Sequence, residues 1–247
     1  MFDNLSIPNK MAIFVSICTQ KGGVGKSTLT AHFATYYAME AKRNVLVIDA
    51  DFPQHTLVEI REIELSRLDY DEEKKQRFLD YDRIPYAIES MPVNRVPARL
   101  DELSKTDTLV FIDLPGTLNV EGYGEVVSRL DVAILLLETD PASFASTMTT
   151  AVGFSQIKSR RHKSGLPLYL LWNKWNSRER ASRSQSLQDA ANSWATQNDV
   201  ALHFFSERVP MLVAFKDHRS TLVPYKDLPV RLIAEMNEVL GLKEPMK

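Results

Sequence analysis

Met11-Ala12-Ile13-Phe14-Val15-Ser16-Ile17-Cys18 is followed at once by Thr19-Gln20-Lys21-Gly22-Gly23-Val24-Gly25-Lys26-Ser27-Thr28. The first eight residues are apolar and β-prone, which predicts a short buried strand. Three of the nine glycines of the whole chain fall in the loop that follows, so the loop is built for tight backbone. Glycine lets successive N–H groups turn inward and approach phosphate oxygens closely. From Ser27 to Ala41 the sequence turns helical, with Phe33, Tyr36, Tyr37 and Met39 available for packing. A helix that starts here adds the partial positive charge of its N-terminus to the loop. Strand, glycine loop and helix together predict a phosphate cradle; the plainer alternative is a glycine turn between strand and helix.

The same alternation runs through the rest of the chain. Strands are expected at Asn44–Ile48, Tyr86–Glu89, Thr108–Ile112, Val132–Leu137, Leu168–Trp172 and Val200–Phe205. Helices are expected at Val58–Tyr81, Val96–Leu103, Ser143–Lys158, Ala181–Gln197 and Pro229–Leu240. Fully apolar strands alternating with helices predict an α/β fold: a doubly wound, mostly parallel twisted sheet with helices on both faces. No repeat, low-complexity tract or linker divides the 247 residues. The expected organisation is therefore an extension at 1–10 and a single domain over 11–247.

Composition narrows the setting. No apolar run reaches the roughly 20 residues of a membrane span. Residues 1–10 have no apolar signal core. The only cysteine, Cys18, excludes an internal disulfide and any cysteine-ligated cluster within one subunit, and reads as a core residue. Cytoplasmic location is the expectation. The net charge of −2 conceals an uneven distribution. Residues 156–183 hold eight Lys/Arg and one acid, Glu179, so this stretch carries +7 and the remainder −9. Such a block reads either as a footprint for nucleic acid or as an ordinary solvated surface. The five histidines, at 32, 55, 162, 203 and 218, show no metal-ligand spacing.

Gly25-Lys26-Ser27 fits the second half of the phosphate-loop pattern G-x-x-x-x-G-K-[ST], but Gln20 stands where that pattern begins with Gly. In such a loop Lys26 meets the β- and γ-phosphates, the Ser27 hydroxyl ligates Mg²⁺, and Thr28 bonds a neighbouring phosphate. Lys21-Gly22-Gly23-Val24-Gly25-Lys26-Ser27-Thr28 resembles the deviant Walker A motif, KGGxGK[ST], of the ParA/MinD family of P-loop ATPases. The resemblance implies ATP with Mg²⁺ as cofactors. It also implies a role for Lys21: reaching across an ATP-sandwich homodimer to the partner's phosphates.

Further segments carry the resemblance over roughly residues 11–225. Asp49-Ala50-Asp51-Phe52-Pro53-Gln54 is similar to the family's D-x-D-P-Q, with Phe52 as one extra residue. By that likeness Asp51 positions the attacking water and Asp49 holds a Mg²⁺-bound water. The residue-level alternative is an acid pair capping the next helix. Asp113-Leu114-Pro115-Gly116 resembles the D-x-P-G switch segment, which makes Asp113 the Walker B carboxylate beside Mg²⁺ and Gly116 an N–H donor to the γ-phosphate. Asn173 matches the family's adenine-binding Asn, and Pro210, in Arg208-Val209-Pro210, the loop that packs on the base. Asn173-Lys174-Trp175-Asn176 has Asn where the guanine-reading signature N-K-x-D needs Asp, so GTP is disfavoured.

The functional expectation is a dimerising ATPase switch acting in DNA partition or conjugal transfer, with non-specific DNA and a ParB-like or other activating protein as partners. Within the family the chain looks most like the conjugal-transfer (TraA-type) ParA proteins of Bacteroidetes mobile elements. The ten residues ahead of the first strand leave no room for an operator-binding domain. Lys158, Arg160, Arg161 and Lys163 are the candidate DNA contacts. A MinD-like membrane-associated ATPase is the alternative; the helix Pro229–Leu240 and the tail Lys243–Lys247 look unlike a membrane anchor, and stable insertion is not expected. A metabolic ATP-dependent enzyme on the same scaffold is the third reading.

Overall fold

The computed structural model describes residues 11–80, 85–175, 181–211 and 219–242, with the side chains of 181–184 also left out. The expected extension at 1–10, the tail from Lys243 to Lys247, Asn176 of the base signature, and Arg178, Glu179 and Arg180 of the basic block lie outside the described residues.

Seven strands form one sheet: β1 (Ile13–Cys18), β2 (Val45–Asp49), β3 (Ala87–Ser90), β4 (Leu109–Asp113), β5 (Val132–Leu137), β6 (Leu168–Trp172) and β7 (Leu202–Phe204). The order is β3-β2-β4-β1-β5-β6-β7, and every pair is parallel. The sheet is thus wholly rather than mostly parallel. β1 sits between β4 and β5, so the loop after it opens at the central crevice where ligands bind in such sheets.

Eight α-helices are described: α1 (Lys26–Met39), α2 (Thr56–Arg67), α3 (Glu72–Leu79), α4 (Val96–Leu103), α5 (Tyr123–Val127), α6 (Pro141–Ser155), α7 (Ala181–Gln197) and α8 (Val230–Val239). They build one core on each face. Ile13, Val15 and Ile17 of β1 join Phe33, Tyr37 and Met39 of α1 and Leu232, Ile233 and Met236 of α8. Phe14 and Cys18 face the other way, with Leu100 of α4, Val126 of α5, Ala151 of α6 and Ala191 of α7. The period-2 alternation of a strand buried on both sides produces this division. Ser16, the one polar side chain of β1, donates to the Ile112 carbonyl at 2.7 Å, so its burial leaves no donor stranded.

One local expectation needs correction, and one element had no sequence signal. Val58–Tyr81 is not one helix: α2 gives way to a 3₁₀ turn at Leu68–Tyr70, and α3 starts afresh. Asp71 causes the restart, because its carboxylate accepts from the Lys74 amide at 2.9 Å as an N-cap. The five-residue α5 is too short for a periodicity signal. It begins at Gly122, whose φ is 83° and where a Cβ would lie 2.7 Å from Asn94 Cα.

The basic block is corrected more substantially. Arg161 does not point to solvent. Its guanidinium bonds both carboxylate oxygens of Asp131, at 2.8 and 2.9 Å, donates to the Ala12 carbonyl, and lies 4.8 Å from the centre of the Phe14 ring. Asp131 also accepts from the Phe14 amide at 2.8 Å. The pair therefore ties the starts of β1 and β5 together, and Arg161 is not free to contact DNA. Removing one partner of a buried pair strands the other charge. Asp131→Ala and Arg161→Ala should each lose about 3 kcal/mol in urea denaturation, and the double variant less than the sum. Losses under about 0.5 kcal/mol would return Arg161 to the surface class.

Candidate functional site

The parallel register does most of the assembly. Asp49 and Asp113 are direct neighbours across β2 and β4, at the carboxyl ends of both strands. Both are fully buried. β1 ends in the same plane, and its loop leads into α1, with Gly25 in the left-handed region at φ 104°. Lys26 is the first helical residue and is buried; Ser27 and Thr28 complete the first turn. These first-turn amides have no partner within the helix, and no acidic residue occupies that turn. The site thus opens toward an anion.

Gly116 lies against this loop. A Cβ there would sit 3.3 Å from the Gln20 carbonyl oxygen and 3.5 Å from Lys26 Nζ. The Asp113–Gly116 segment and the phosphate loop are therefore in contact.

The acids divide the work. Asp49 Oδ2 accepts from the amides of Leu57 and Val58, at 2.8 and 3.2 Å, which caps the N-terminus of α2. The capping reading of the acid pair thus applies to Asp49 in this state. Asp51, two residues on, is half-buried; burial, opposed by Lys26, pushes its carboxyl above the usual range. Asp113 is different again. Neither of its oxygens has a hydrogen-bond partner. Burial above all pushes its pKa up to about 7, the Ser27 hydroxyl pulls it back, and Asp49 pushes it further. A buried carboxylate without a partner beside a serine hydroxyl is a donor set that fits a hard, oxygen-seeking cation. Among the described residues no cluster of three or more His, Cys, Asp or Glu is placed to hold a metal.

Lys21 is 41 % exposed and lies to one side of the loop. Its Nζ is 3.0 Å from Asp140 and 3.4 Å from Glu138. The hydrogen bond to Asp140 holds its pKa above the ordinary lysine value. Asn173 is buried at the end of β6 and donates its amide to the Val24 carbonyl. Trp175 bridges to Pro210, with Trp175 N–H on the Val209 carbonyl and Met211 N–H on the Trp175 carbonyl, both at 2.8 Å. Arg208 covers the Trp175 ring at 4.0 Å. Asn173 and Pro210 therefore belong to the same edge as the loop. Glu138 and Lys174, by contrast, were not singled out by their sequence context. Glu138 had a readable signal, since like Asp49 and Asp113 it is an acid at the end of a buried strand.

The remaining basic residues lie elsewhere. Lys158, Arg160 and Lys163 are exposed on the segment after α6. That segment is anchored near the starts of β1 and β5 by Arg161, at the edge of the sheet opposite the loop. Lys174 belongs to the loop edge. Among the described residues, the basic side chains of the +7 stretch thus form two separate features rather than one surface.

Comparison with known proteins agrees with this arrangement. Residues 15–197 match the CobQ/CobB/MinD/ParA nucleotide binding domain. The chain belongs to this family. The septum site-determining protein MinD of Helicobacter pylori is 26 % identical over 177 residues, covering 64 % of this chain and 65 % of that protein. Among solved structures, the Cyanothece McdA–ATP complex superposes with a TM-score of 0.64 at 17 % identity, covering 97 % of this chain and all of the other. The MinC:MinD cell division complex of Aquifex aeolicus gives 0.58 at 17 %, covering 95 % and 98 %. A plasmid partition protein of Borrelia burgdorferi bound to AMPPNP gives 0.58 at 18 %, covering 93 % and 97 %. These likenesses establish the ParA/MinD fold for the chain.

Asp113 yields a prediction in which stability and binding move in opposite directions. Its folded pKa lies above the unfolded value, so the native state holds a proton that the unfolded state has lost between about pH 4 and pH 7. Stability of the nucleotide-free protein should therefore fall as pH rises through this window and level off above it. Asp113→Asn should remove that slope and stabilise the nucleotide-free protein at pH 8, by about 2 kcal/mol. The same substitution should abolish the Mg²⁺-dependent part of nucleotide binding. A variant less stable than the parent at pH 8 would contradict the unpaired-charge reading.

Proposed function

We propose that this ParA/MinD-family protein is an ATP-dependent dimerising switch that hydrolyses ATP and acts in the partition or conjugal transfer of DNA. The observation that carries this reading is the position of Lys21. Its half-exposed side chain turns to Glu138 and Asp140, while Lys26 is buried at the start of α1. A lysine so placed is available to a second subunit.

In this reading the loop amides and Lys26 bind the triphosphate, and the α1 N-terminus adds its partial charge. Ser27 and Asp113 hold Mg²⁺, which neutralises phosphate charge when bound. Asp49 positions the start of α2 and, with it, the segment that bears Asp51. Asp51 orients the attacking water. Gly116 offers its amide to the γ-phosphate. Asn173 and Pro210 border the adenine. Lys21 of each copy completes the other's site, adding positive charge where it develops during transfer. DNA is held non-specifically by Lys158, Arg160 and Lys163, and an activating protein of the ParB kind triggers turnover. The working location is the cytoplasm, on DNA.

The Helicobacter pylori relative favours a second reading, a MinD-like positioning ATPase at a membrane surface. α8 offers it no support, because Leu232, Ile233 and Met236 are already buried in the core. Among the described residues no helix is long and apolar enough to cross a membrane.

ATP turnover with and without duplex DNA separates these readings. The parent should turn over slowly and be stimulated by DNA, and Lys21→Ala should lose the stimulation. Equal rates for both proteins would reject the role of Lys21. Replacing Lys158, Arg160 and Lys163 together with Glu, and leaving Arg161 intact, should flatten the salt dependence of DNA retention. The log–log slope should drop by about one for each phosphate that is no longer neutralised. Unchanged retention, with ATP-dependent sedimentation on anionic liposomes, would transfer the proposal to the membrane reading.

A further inference from the structure

Two consecutive carbonyls of the phosphate loop are held from outside by two consecutive residues of β6's exit. Asn173 donates to the Val24 carbonyl, and Lys174 Nζ donates to the Gly23 carbonyl at 2.7 Å. In a trans peptide the C=O and the following N–H point in opposite directions. Pinning the carbonyls of Gly23 and Val24 toward β6 therefore turns the amides of Val24 and Gly25 the other way, into the concave side of the loop. Those are the donors an anion would use.

Lys174 is itself held. Its ammonium lies 2.8 Å from Glu138 Oε1, and Glu138 is nearly buried, with 11 % of its side chain exposed. The backbone of Lys174 is in the left-handed region, at φ 52°. A long-chain residue adopts that conformation at a cost, which surrounding contacts must offset. The second oxygen of Glu138 faces Lys21 at 3.4 Å. Burial alone would raise the Glu138 carboxyl, but the Lys174 ammonium, the Ser143 hydroxyl and the Lys21 ammonium together outweigh it and hold it below the usual range.

Resting on the nucleotide-site reading above, we infer that Lys174 and Glu138 are positioning residues which pre-shape the phosphate loop for a triphosphate before it arrives. Lys174 touches the loop backbone, and Glu138 acts through Lys174. Glu138 fixes Lys174, Lys174 fixes the Gly23–Val24 peptide, and the amides are aimed without further reorganisation on binding. The effect is independent of the base, because it acts through loop carbonyls alone. It also ties Lys21 into the same brace, since one carboxylate serves both lysines.

Binding of ATP and of inorganic tripolyphosphate, measured by calorimetry in the full chain, tests this. Lys174→Met should bind both about tenfold more weakly, the loss expected when one charge-assisted hydrogen bond is removed. Glu138→Gln is the decisive variant. Simple electrostatics predicts tighter anion binding when a negative charge is removed; the brace predicts weaker binding. The double variant should be no weaker than Lys174→Met, because the two act in series. Lys174→Arg should recover part of the loss. An unchanged melting temperature of each nucleotide-free variant keeps the result from being a folding effect. Tighter or equal binding by Glu138→Gln overturns the brace. Failure of the parent to bind either ligand overturns the nucleotide reading and the brace with it.

Discussion

The parallel pairing of β2 with β4 brings two carboxylates side by side at the sheet's edge, both out of water. Two neighbouring buried negative charges are costly unless each finds compensation. Asp49 finds it in the amides at the start of α2. For Asp113 the opposing pull of Ser27 and Lys26 is too small to offset burial, and its carboxyl stays raised. The rest of the edge is arranged around that deficit. The phosphate loop, the α1 N-terminus, Lys26 and Ser27 surround the same crevice, and all present positive or hydroxyl groups. One carboxylate raised by burial and a group of anion donors thus share one crevice, the arrangement on which the proposed binding of a triphosphate with a divalent cation rests.

The same edge is coupled to the surface through α2. Asp49 holds the helix's first amides, and further along α2 Arg61 and Glu64 reach the segment near Thr221. Arg61 donates to the Thr221 carbonyl at 2.9 Å and to its hydroxyl at 2.8 Å, while Glu64 accepts from the Thr221 amide at 2.7 Å. These groups are buried and mutually satisfied, so they form a stiff connection. A change at Asp49 therefore has a rigid element to act upon. On the other flank, Glu138 joins Lys21 to Lys174 and so to the loop backbone. The loop carbonyls are thus held from the β6 side.

Much of this was legible in the sequence. Apolar runs ending in Asp49, Asp113 and Asn173 located β2, β4 and β6 and placed these residues at one edge, because a parallel sheet aligns its carboxyl ends. The glycine loop located the cradle. What escaped has definite causes. The break at Asp71 was hidden because a charged, helix-compatible stretch continues through it, and only the cap at Lys74 marks the restart. α5 is shorter than any periodicity window. Arg161 reads as a candidate DNA contact in the sequence because its partner, Asp131, is 30 residues away, and charge runs carry no information about distant partners. Glu138 and Lys174 were unreadable as a pair for the same reason: β5 and β6 bring them together. The second lysine, Lys21, was legible through its motif, and its turn toward Glu138 and Asp140 is a fact of the folded loop.

The central claim is that this edge binds a nucleoside triphosphate together with a divalent cation. Calorimetric titration of ATP into the parent protein, once with Mg²⁺ and once with EDTA, tests it most directly. The account predicts one site per chain, with affinity at least about tenfold higher in Mg²⁺ than in EDTA. The absence of saturable binding, or equal affinity in the two conditions, would contradict it.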